Sequence, residues 1–509
     1  MKKKLLAGVM AAVLLLTGCA TTPGGNETQG TEAAQPTDEP TVPPTEFVPT
    51  QLAVFEAETG TTVGTVRIAG DYVTGFEQDN DACSVPITVE ESGFYDLDFV
   101  LRTVGGYKQN YVYLDDEKVG DIDADGEEFH SCFLRRVYIE AGEHTLTIGK
   151  FWGWIDWDKV TVWTSEPFDE SVFNVSAKLV TENASDNAKR LFSYMCDIYG
   201  KHILTGQQCD TGMLGWEMRM IAAQTGEKYP AVLGMDMMDY SPSRVERGAN
   251  SNATDLAIAY WEKCGGIVTF CWHWNVPSKY IRPNAEWYAA FYTENTTIDL
   301  SKVMSGQDQE GYDLLVSDID AIAVQLKKLE DAGVPILWRP LHEASGGWFW
   351  WGSDGSKAYK DLYKLMYDRL TNYHGLTNLI WVWNGQNGDW YPGDEYVDII
   401  GQDIYPGERV YTSQMDYFQA NQSWADGNKM VVLSENGCLI DPELAERDRA
   451  MWGYYCTWCG DFVMNNGVFK KYSEQYTEIS MLQKVYESEL YISRDELPDI
   501  REYPIRDDA

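Results

Sequence analysis

One stretch, Val334 to Trp351 (VPILWRPLHEASGGWFWW), constrains the fold of this chain more than any other. It begins as an apolar, β-branched run that is typical of a buried parallel strand. It then changes abruptly to ionisable residues, ending in His342 and Glu343, and two glycines separate these from a run of aromatic residues. This pattern is typical of an α/β barrel, which carries its reactive groups at the carboxyl ends of its strands.

Taken alone, this stretch supports two interpretations. A carboxyl, an imidazole and flat apolar rings suit a sugar, whose C–H face stacks on aromatic rings while its hydroxyls need polar partners. The alternative is structural, with Glu343 and Arg339 forming a buried ion pair beneath an aromatic core.

A second stretch, Lys429 to Gly437 (KMVVLSENG), favours the first interpretation. It is another buried strand that ends in a carboxylate, Glu435, which lies 92 residues after Glu343. One βα unit of a barrel takes about 30 residues, so the two glutamates are about three units apart. We therefore expect a (β/α)8 barrel with Glu343 at the end of strand 4 and Glu435 at the end of strand 7. Two carboxyls about 5–5.5 Å apart are what a retaining glycosidase requires.

The segment WRPLHEASGGWFWW, with SENG downstream, resembles glycoside hydrolase family 26 over roughly residues 185–490. The resemblance implies double displacement, with Glu343 as acid/base and Glu435 as nucleophile. The pKa of Glu343 must then be raised in the free enzyme, and the nearby charge of Glu435 would raise it. Most of the wider clan has Asn before the acid, whereas this family, like this chain, has His there (His342).

The resemblance also implies partners for the two glutamates. Tyr405 matches a tyrosine that hydrogen-bonds the nucleophile, and His273 and His342 match positions that contact the sugar at the cleavage point. Trp348 and Trp458 match the aromatic floor and wall of the cleft.

Five further residues near these strand ends have two interpretations each. Arg339 either orients the carboxylates from below or pairs with one of them as a structural ion. Four tryptophans either line outer subsites or pack loops, namely Trp350, Trp351, Trp383 and Trp390.

The eight predicted barrel strands span about 250 residues, which matches one closed barrel. They are 203–208, 231–237, 267–273, 335–341, 378–383, 397–404, 430–434 and 455–462. The clearest predicted helix has a stripe of Leu315, Ile319, Ile322, Leu326 and Leu329, which Gly333 ends. The segment 278–311 is rich in Tyr and Trp and too long for a plain turn, so we expect it to wall part of the cleft.

Short alternating strands separated by turns, from about Leu52 to Thr164, predict a β-sandwich. Its first and last strands resemble family 35 carbohydrate-binding modules, in which acidic residues at such positions hold a structural calcium. Carried over, Glu56, Glu58 and Asp158 are candidate ligands, because hard oxygens suit Ca²⁺; the alternative is that they are solvated acids. Three aromatic residues form either a sugar platform or core, namely Tyr107, Trp152 and Trp154.

The first residues, MKKKLLAGVMAAVLLLTGCA, combine a basic start with a short apolar run. They close on Leu16-Thr17-Gly18-Cys19, which resembles the bacterial lipoprotein cleavage box. We expect lipid on Cys19, which would hold the protein at the cell surface on a membrane by acyl chains. The alternative is ordinary secretion. Residues 20–50 are Thr, Pro, Gly and Glu with almost nothing apolar, so they predict a disordered tether.

The predicted organisation has six parts. They are a lipoprotein signal (1–19), a linker (20–50), a carbohydrate-binding module (51–165), a second linker (166–182), the barrel (183–492) and a C-terminal tail (493–509). Nine cysteines follow Cys19, and Cys83 with Cys132 and Cys456 with Cys459 are possible disulfides. Buried thiols are the default for most of them.

The formal net charge of −39 argues against a nucleic-acid partner, which needs a basic surface. We expect a monomeric, extracytoplasmic endo-β-1,4-mannanase that needs no cofactor for catalysis and acts on mannan, glucomannan or galactomannan. The same machinery acting on mixed-linkage β-glucan or β-1,3-xylan is one alternative. A non-catalytic lipoprotein that captures polysaccharide is another, and the presence of both glutamates counts against it.

Overall fold

A computed structural model of the protein describes residues 47–210, 215–465 and 470–509. Two units follow one another along these residues, an antiparallel β-sandwich and a closed parallel barrel. The predicted lipoprotein signal, including Cys19, and the linker up to residue 46 lie outside the described residues.

The β-sandwich forms because its strands alternate between buried and exposed side chains, as a sheet with one buried face requires. In β5, for example, Val85 and Ile87 are buried while their neighbours face outward. Trp157 on the last strand is fully buried and packs against Phe99, with ring centroids 6.0 Å apart. The core of the module therefore lies between its two sheets.

The sandwich has eleven strands in two sheets. One sheet has the order β3-β4-β11-β6-β9 with β1 also paired to β11, and the other has the order β2-β5-β10-β7-β8. The strands are β1 (Gln51–Glu56), β2 (Thr61–Val63), β3 (Arg67–Ile68), β4 (Val73–Thr74), β5 (Ala82–Val89), β6 (Gly93–Thr103), β7 (Lys108–Leu114), β8 (Glu117–Ala124), β9 (His130–Ile139), β10 (Gly142–Gly149) and β11 (Ile155–Thr164).

Three aromatic residues of the module were expected to form either a sugar platform or part of the core, and they do not lie in the core. The exposed fractions of Tyr107, Trp152 and Trp154 are 44%, 53% and 48%. Tyr107 and Trp152 meet edge to face with centroids 5.8 Å apart, and Lys108 lies beneath the rings of Trp152 and Trp154. They form one exposed aromatic patch at an end of the sandwich.

Eight parallel strands, β13 to β20, close into the predicted barrel. They are β13 (Gly206–Gln208), β14 (Val232–Asp236), β15 (Ile267–Trp272), β16 (Ile336–Pro340), β17 (Leu379–Trp383), β18 (Ile399–Ile404), β19 (Met430–Asn436) and β20 (Tyr455–Thr457). A separate parallel pair joins β12 (Ile203–Leu204) to β21 (Tyr491–Ile492). The predicted (β/α)8 fold and its order of strands are confirmed.

Helices surround the barrel strands. They are α1 (Asp186–Ile198), α2 (Trp216–Gln224), α3 (Pro242–Val245), α4 (Ala253–Cys264), α5 (Leu300–Met304), α6 (Gln309–Asp331), α7 (Ser356–Tyr367), α8 (Met415–Gln422), α9 (Pro442–Asp448) and α10 (Ile479–Glu487). The predicted apolar stripe is the buried face of α6, whose side chain at Leu315 is fully covered. Among the described helices, no segment is long and apolar enough to cross a membrane.

Six predicted strands match the structure to within two residues at each end, and two differ more. The first is divided at Thr205, because its backbone N–H and hydroxyl both donate to the carbonyl of Ile492 rather than to a barrel neighbour. The eighth ends at Thr457 instead of Phe462, because Gly460 adopts a left-handed φ of 67° and begins a short 3-10 turn. A long-range contact with β21 therefore overrides the apolar pattern in the first strand, and a turn overrides it in the eighth.

The predicted disulfides are wrong, since all four of these cysteines are free thiols. Cys83 lies on β5 and Cys132 on β9, which belong to different sheets of the sandwich. Cys456 is fully buried in β20, and Cys459 lies beyond the end of that strand. Burial raises the pKa of the Cys83 thiol to about 12, so it remains an inert apolar group.

Candidate active site

The two glutamates meet at the carboxyl ends of the barrel strands. Glu343 follows β16, the fourth barrel strand, and Glu435 lies near the end of β19, the seventh. A carboxylate oxygen of each lies within 4.8 Å of the other and of one from Asp403. Such a close approach agrees with the carboxyl separation of about 5–5.5 Å in retaining glycosidases rather than with the about 6.5–9.5 Å of inverting enzymes.

A β-bulge directs Glu435 to this place. Gln402 of β18 pairs with Leu433, but the next residue, Asp403, pairs with Glu435, so Ser434 is the extra residue on β19. A bulge re-aims the side chains that follow it, and bulges are common beside active sites. The hydroxyl of Ser434 donates to Asp403 across 2.7 Å, which fixes the bulge to the neighbouring strand.

The backbone of Glu343 is held in an unusual conformation. Its φ of 53° is left-handed, a region that costs a residue other than glycine roughly 1–3 kcal/mol. Its N–H donates to the backbone carbonyl of Asn384, at 2.7 Å, and to the side-chain oxygen of the same residue, at 3.1 Å. Asn384 is itself fully buried and donates to Asp403. The fifth barrel strand therefore fixes the position of the fourth strand's carboxyl.

Arg339 lies beneath the carboxyls and contacts two of them. Its guanidinium donates to Asp403 across 2.9 Å and to Glu435 through the other terminal nitrogen. All three side chains are almost completely buried. The ion pair between Arg339 and Glu343 that the sequence allowed is therefore wrong, and the guanidinium orients the carboxylate of Glu435 instead.

Tyr405, the residue after β18, bonds the same carboxylate from the side of the cleft. Its hydroxyl donates to Oε2 of Glu435 across 2.5 Å, while its ring is partly open to solvent. Burial and the charge of Glu435 raise the pKa of the Tyr405 hydroxyl well above its usual range. Tyr405 therefore stays protonated and donates.

Burial is the main cause of the raised pKa of both glutamates. It raises the pKa of Glu343 to about 7, with a further contribution from the charge of Asp403. Burial also raises the pKa of Glu435, but both of its oxygens accept hydrogen bonds, from Arg339 and Tyr405. Because these bonds favour the ionised form of Glu435, the proton of the coupled pair belongs on Glu343.

Four more of the sequence-predicted residues surround this pair. The indole N–H of Trp348 donates to Oε2 of Glu343 across 3.0 Å, and the ring is 47% exposed. The ring of Trp458 is 5.9 Å from that of His273. His342 lies behind His273, with their Nε2 atoms 3.3 Å apart, and only 1% of it is exposed. The structure thus brings together all seven residues predicted for the site, with His342 in a covered position.

The four tryptophans that the sequence assigned either to outer subsites or to loop packing are packing residues. Trp350, Trp351 and Trp383 are fully buried, so they do not line outer subsites. Trp390 is half-buried and packs edge to face on Tyr359. In the segment 278–311, by contrast, Trp287, Tyr288 and Tyr292 are at least 36% exposed beside the barrel mouth, while Tyr280 is buried.

Three polar residues of the site were missed by sequence reasoning, namely Asp236, Asn384 and Asp403. Asp236 and Asp403 lie near the carboxyl ends of predicted strands, and Asn384 is the first residue after one, so proximity to a strand end was the available signal. Two groups of donor atoms in the described ranges are close enough for a metal ion. One is Glu343, Asp403 and Glu435, where the guanidinium of Arg339 already supplies a cation, and the other is Asp236, Cys271 and His273.

The proposed calcium ligands of the module are only partly gathered. Glu58 has a buried carboxylate oxygen with no hydrogen-bond partner, as a metal ligand would have without its metal. Asp158, however, pairs with the ammonium of Lys159 at 3.2 Å. Neither donor cluster in the described ranges includes Glu56, Glu58 or Asp158.

A (β/α)8 barrel with one carboxyl at the end of its fourth strand, another on its seventh, and aromatic side chains around them has the arrangement of a glycoside hydrolase. Comparison with known proteins agrees. Residues 180–496 match the model of glycosyl hydrolase family 26, and residues 53–164 match that of carbohydrate binding module family 35. The chain belongs to glycosyl hydrolase family 26.

Its similarity to known relatives extends over nearly the whole chain. A mannan endo-1,4-β-mannosidase of Thermothelomyces thermophilus is 38% identical and is matched over 97% of each chain. The crystal structure of a Podospora anserina GH26-CBM35 β-(1,4)-mannanase has a TM-score of 0.64 at 37% identity, covering 89% of this chain and 99% of that one. A ruminal GH26 endo-β-1,4-mannanase has a TM-score of 0.68 at 27% identity, covering 88% and 98%.

Proposed function

We propose that this protein is a retaining endo-β-1,4-mannanase that hydrolyses mannan, glucomannan or galactomannan. The observation that carries the proposed chemistry is that an oxygen of Glu343, after β16, lies within 4.8 Å of an oxygen of Glu435, on β19. The proposed substrate rests on relatives named as mannanases, one of which matches both the barrel and the module.

The proposed reaction has two displacements. Glu435 attacks the anomeric carbon as a carboxylate, and Glu343 gives its proton to the departing glycosidic oxygen as the C–O bond breaks. Water then attacks the glycosyl ester, Glu343 takes a proton from that water, and Glu435 leaves as a carboxylate. Two inversions at one carbon leave the β configuration unchanged.

The surroundings of the two carboxyls suit these roles. Glu343 has a pKa raised to about 7, so much of it is protonated near neutral pH and can act as the acid. Arg339 and Tyr405 hold both oxygens of Glu435, which limits its rotation and keeps it ionised. Formation of the ester removes one negative charge from the cluster, and that lowers the pKa of Glu343 for its second role as a base.

The experiment that tests this function measures release of reducing ends by the mature chain, starting after Cys19, from mannan, lichenan and β-1,3-xylan under identical conditions. We expect hydrolysis of mannan to be fastest and the first products to have the β configuration by proton NMR. Faster hydrolysis of lichenan or xylan would replace the proposed substrate. Binding of mannan without any cleavage would favour polysaccharide capture instead.

We also propose that Cys19 carries a lipid that anchors the enzyme outside the cytoplasm. The support is the sequence around Leu16-Thr17-Gly18-Cys19, preceded by three lysines and an apolar run. A full-length chain produced in a bacterium should incorporate an alkyne-labelled fatty acid and partition into the detergent phase. The Cys19→Ala variant should lose the label, and a label that persists in this variant would refute the site.

A further inference from the structure

Asp236, at the end of the second barrel strand, makes an ordered set of hydrogen bonds that the proposed catalytic roles leave unexplained. Its Oδ1 accepts from the backbone N–H of Met238, at 2.8 Å, and from that of His273, at 3.1 Å. Its Oδ2 lies 2.6 Å from Nδ1 of His273. The carboxylate is thus fixed by two backbone groups and meets one imidazole nitrogen.

These contacts determine which nitrogen of His273 carries the proton. A carboxylate offers only acceptors, so Nδ1 must donate to it. In the neutral ring, Nε2 is then an acceptor. Rotation of the ring is restricted, because Phe291, Phe349 and Trp458 surround it with centroids 5.1–5.9 Å away. The lone pair of Nε2 therefore has a fixed direction and a fixed hydrogen-bonding role.

His342 completes the chain of hydrogen bonds. Burial and the charge of Arg339 lower its pKa well below the usual range, so it is neutral and has one N–H. Its Nδ1 is buried without a partner, whereas its Nε2 faces Nε2 of His273. A proton on Nε2 satisfies both rings, and one on Nδ1 would leave a buried donor unpaired. Donation therefore runs from His342 to His273 to Asp236.

The hydrogen bond between the two imidazoles is long, at 3.3 Å, and a hydroxyl both donates and accepts, so a sugar hydroxyl can donate to His273 while it accepts from the N–H of His342. We propose that Asp236 is a positioning residue that keeps the proton of His273 on Nδ1, so that Nε2 accepts a hydrogen bond from a hydroxyl of the bound sugar. This inference rests on the proposed function, because it requires a sugar beside Glu343 and Glu435.

The Asp236→Asn variant should reverse the hydrogen-bonding role of Nε2 of His273. The side-chain oxygen must still accept from the two backbone N–H groups, so the amide NH₂ faces Nδ1 of His273. An NH₂ can only donate, and therefore Nδ1 loses its proton and Nε2 gains it. The sugar hydroxyl then meets a donor instead of an acceptor, and a mismatched buried polar pair is costly.

The test uses ¹⁵N-histidine NMR and kinetics on the full chain. In the wild type we expect His273, identified by loss of its signals in His273→Gln, to be protonated at Nδ1 only. In Asp236→Asn we expect the proton on Nε2 and a fall in kcat/KM of about 10- to 100-fold, the effect of one buried hydrogen bond, with an unchanged melting temperature. A purely structural role would not move the proton.

Asp115→Asn is the matched control, because Asp115 meets Nδ1 of His144 at 2.6 Å in the module and accepts from the N–H of Thr145. It should leave kcat/KM unchanged.

A wild-type proton on Nε2 would overturn the inference, as would kcat/KM within twofold of wild type in Asp236→Asn. The wild-type spectrum decides the matter if that variant does not fold. If the wild type cleaves another β-glycan instead of mannan, the proposed substrate is wrong. The role of Asp236 is then still tested by the tautomer of His273 and by the ratio of kcat/KM between the wild type and Asp236→Asn on that glycan.

Discussion

The indole N–H of Trp348 donates to the carboxyl of Glu343 across 3.0 Å, within the run of residues that links the fourth barrel strand to the cleft. The bond opposes the effect of burial, because it stabilises the ionised form of Glu343 and so lowers its pKa. Trp348 thus contacts both the proposed acid and, through its exposed face, the space where a sugar would stack.

Replacement of Trp348 by Phe should shift the pH dependence of activity. The variant keeps an aromatic face but loses the N–H, so the pKa of Glu343 should rise above about 7. Because the acid must be protonated, activity falls as pH rises through this pKa, and the alkaline limb of kcat/KM should move to higher pH. Trp458→Phe is the control, since it should lower kcat/KM without moving that limb. An alkaline limb that stays in place in Trp348→Phe would contradict this role of the N–H.

Replacement of Tyr405 by Phe should affect the acidic limb of the pH dependence of kcat/KM. In the wild type, the hydroxyl of Tyr405 stabilises the ionised form of Glu435. Without this hydrogen bond the pKa of Glu435 should rise. The nucleophile must be ionised, and the acidic limb of kcat/KM should therefore also move to higher pH. A hydrogen bond to a charged group is worth about 1.5–3 kcal/mol, which would move the acidic limb by about 1–2 pH units. An unchanged acidic limb with reduced kcat would show that Tyr405 acts on the sugar instead.

Arg339→Lys should cost both stability and activity. One ammonium cannot reproduce the fork by which Arg339 reaches Asp403 and Glu435 together, so one buried carboxylate is left without a cation. Breaking a buried ion pair typically costs about 3–5 kcal/mol. Urea unfolding at pH 7 measures this loss. The exposed pair of Lys357 and Asp361 provides the control, because Lys357→Met should change stability by less than about 1 kcal/mol.

The calcium proposed for the module can be tested by its effect on melting. If Glu58, with its unpaired buried oxygen, binds Ca²⁺, then millimolar Ca²⁺ should raise the melting temperature of the module and EGTA should lower it. Glu58→Gln should abolish the difference. A melting temperature that does not respond to Ca²⁺ or EGTA in the wild type would show that Glu56, Glu58 and Asp158 are solvated acids.

Much of this architecture was predictable because it follows from local patterns. Buried strands have a continuous apolar signature, and the distance of 92 residues between Glu343 and Glu435 fits three βα units. The choice between the two interpretations of Arg339 was not predictable, because its contact with Glu435 depends on the bulge at Ser434, which changes the register by one residue. Asn384 and Asp403 act through long-range contacts to other strands, and no local pattern distinguishes them from ordinary polar residues at strand ends.

Asp318 of α6 should make the barrel less stable as pH rises. It is 3% exposed, its partner is the indole N–H of Trp274 at 2.9 Å, and burial raises its pKa to about 7. An unfolded Asp has a pKa of about 3.9. Between about pH 4 and pH 7 the folded state therefore holds a proton that the unfolded state has lost, and the free energy of unfolding falls as pH increases.

Asp318→Asn should remove this dependence, because the amide accepts from Trp274 without ionising. At pH 8 it should be more stable than the wild type by a few kcal/mol, and at pH 4 the two should be similar. Asp320, on the same helix, is the matched control. Its pKa is shifted in the opposite direction, because Arg369 and His374 lower it. Asp320→Asn should lose stability above pH 4 instead. Urea unfolding of the wild type and the two variants at pH 4, 6 and 8 measures both effects. A loss of stability in Asp318→Asn at pH 8 would mean that the carboxylate of Asp318 has a stronger partner than Trp274.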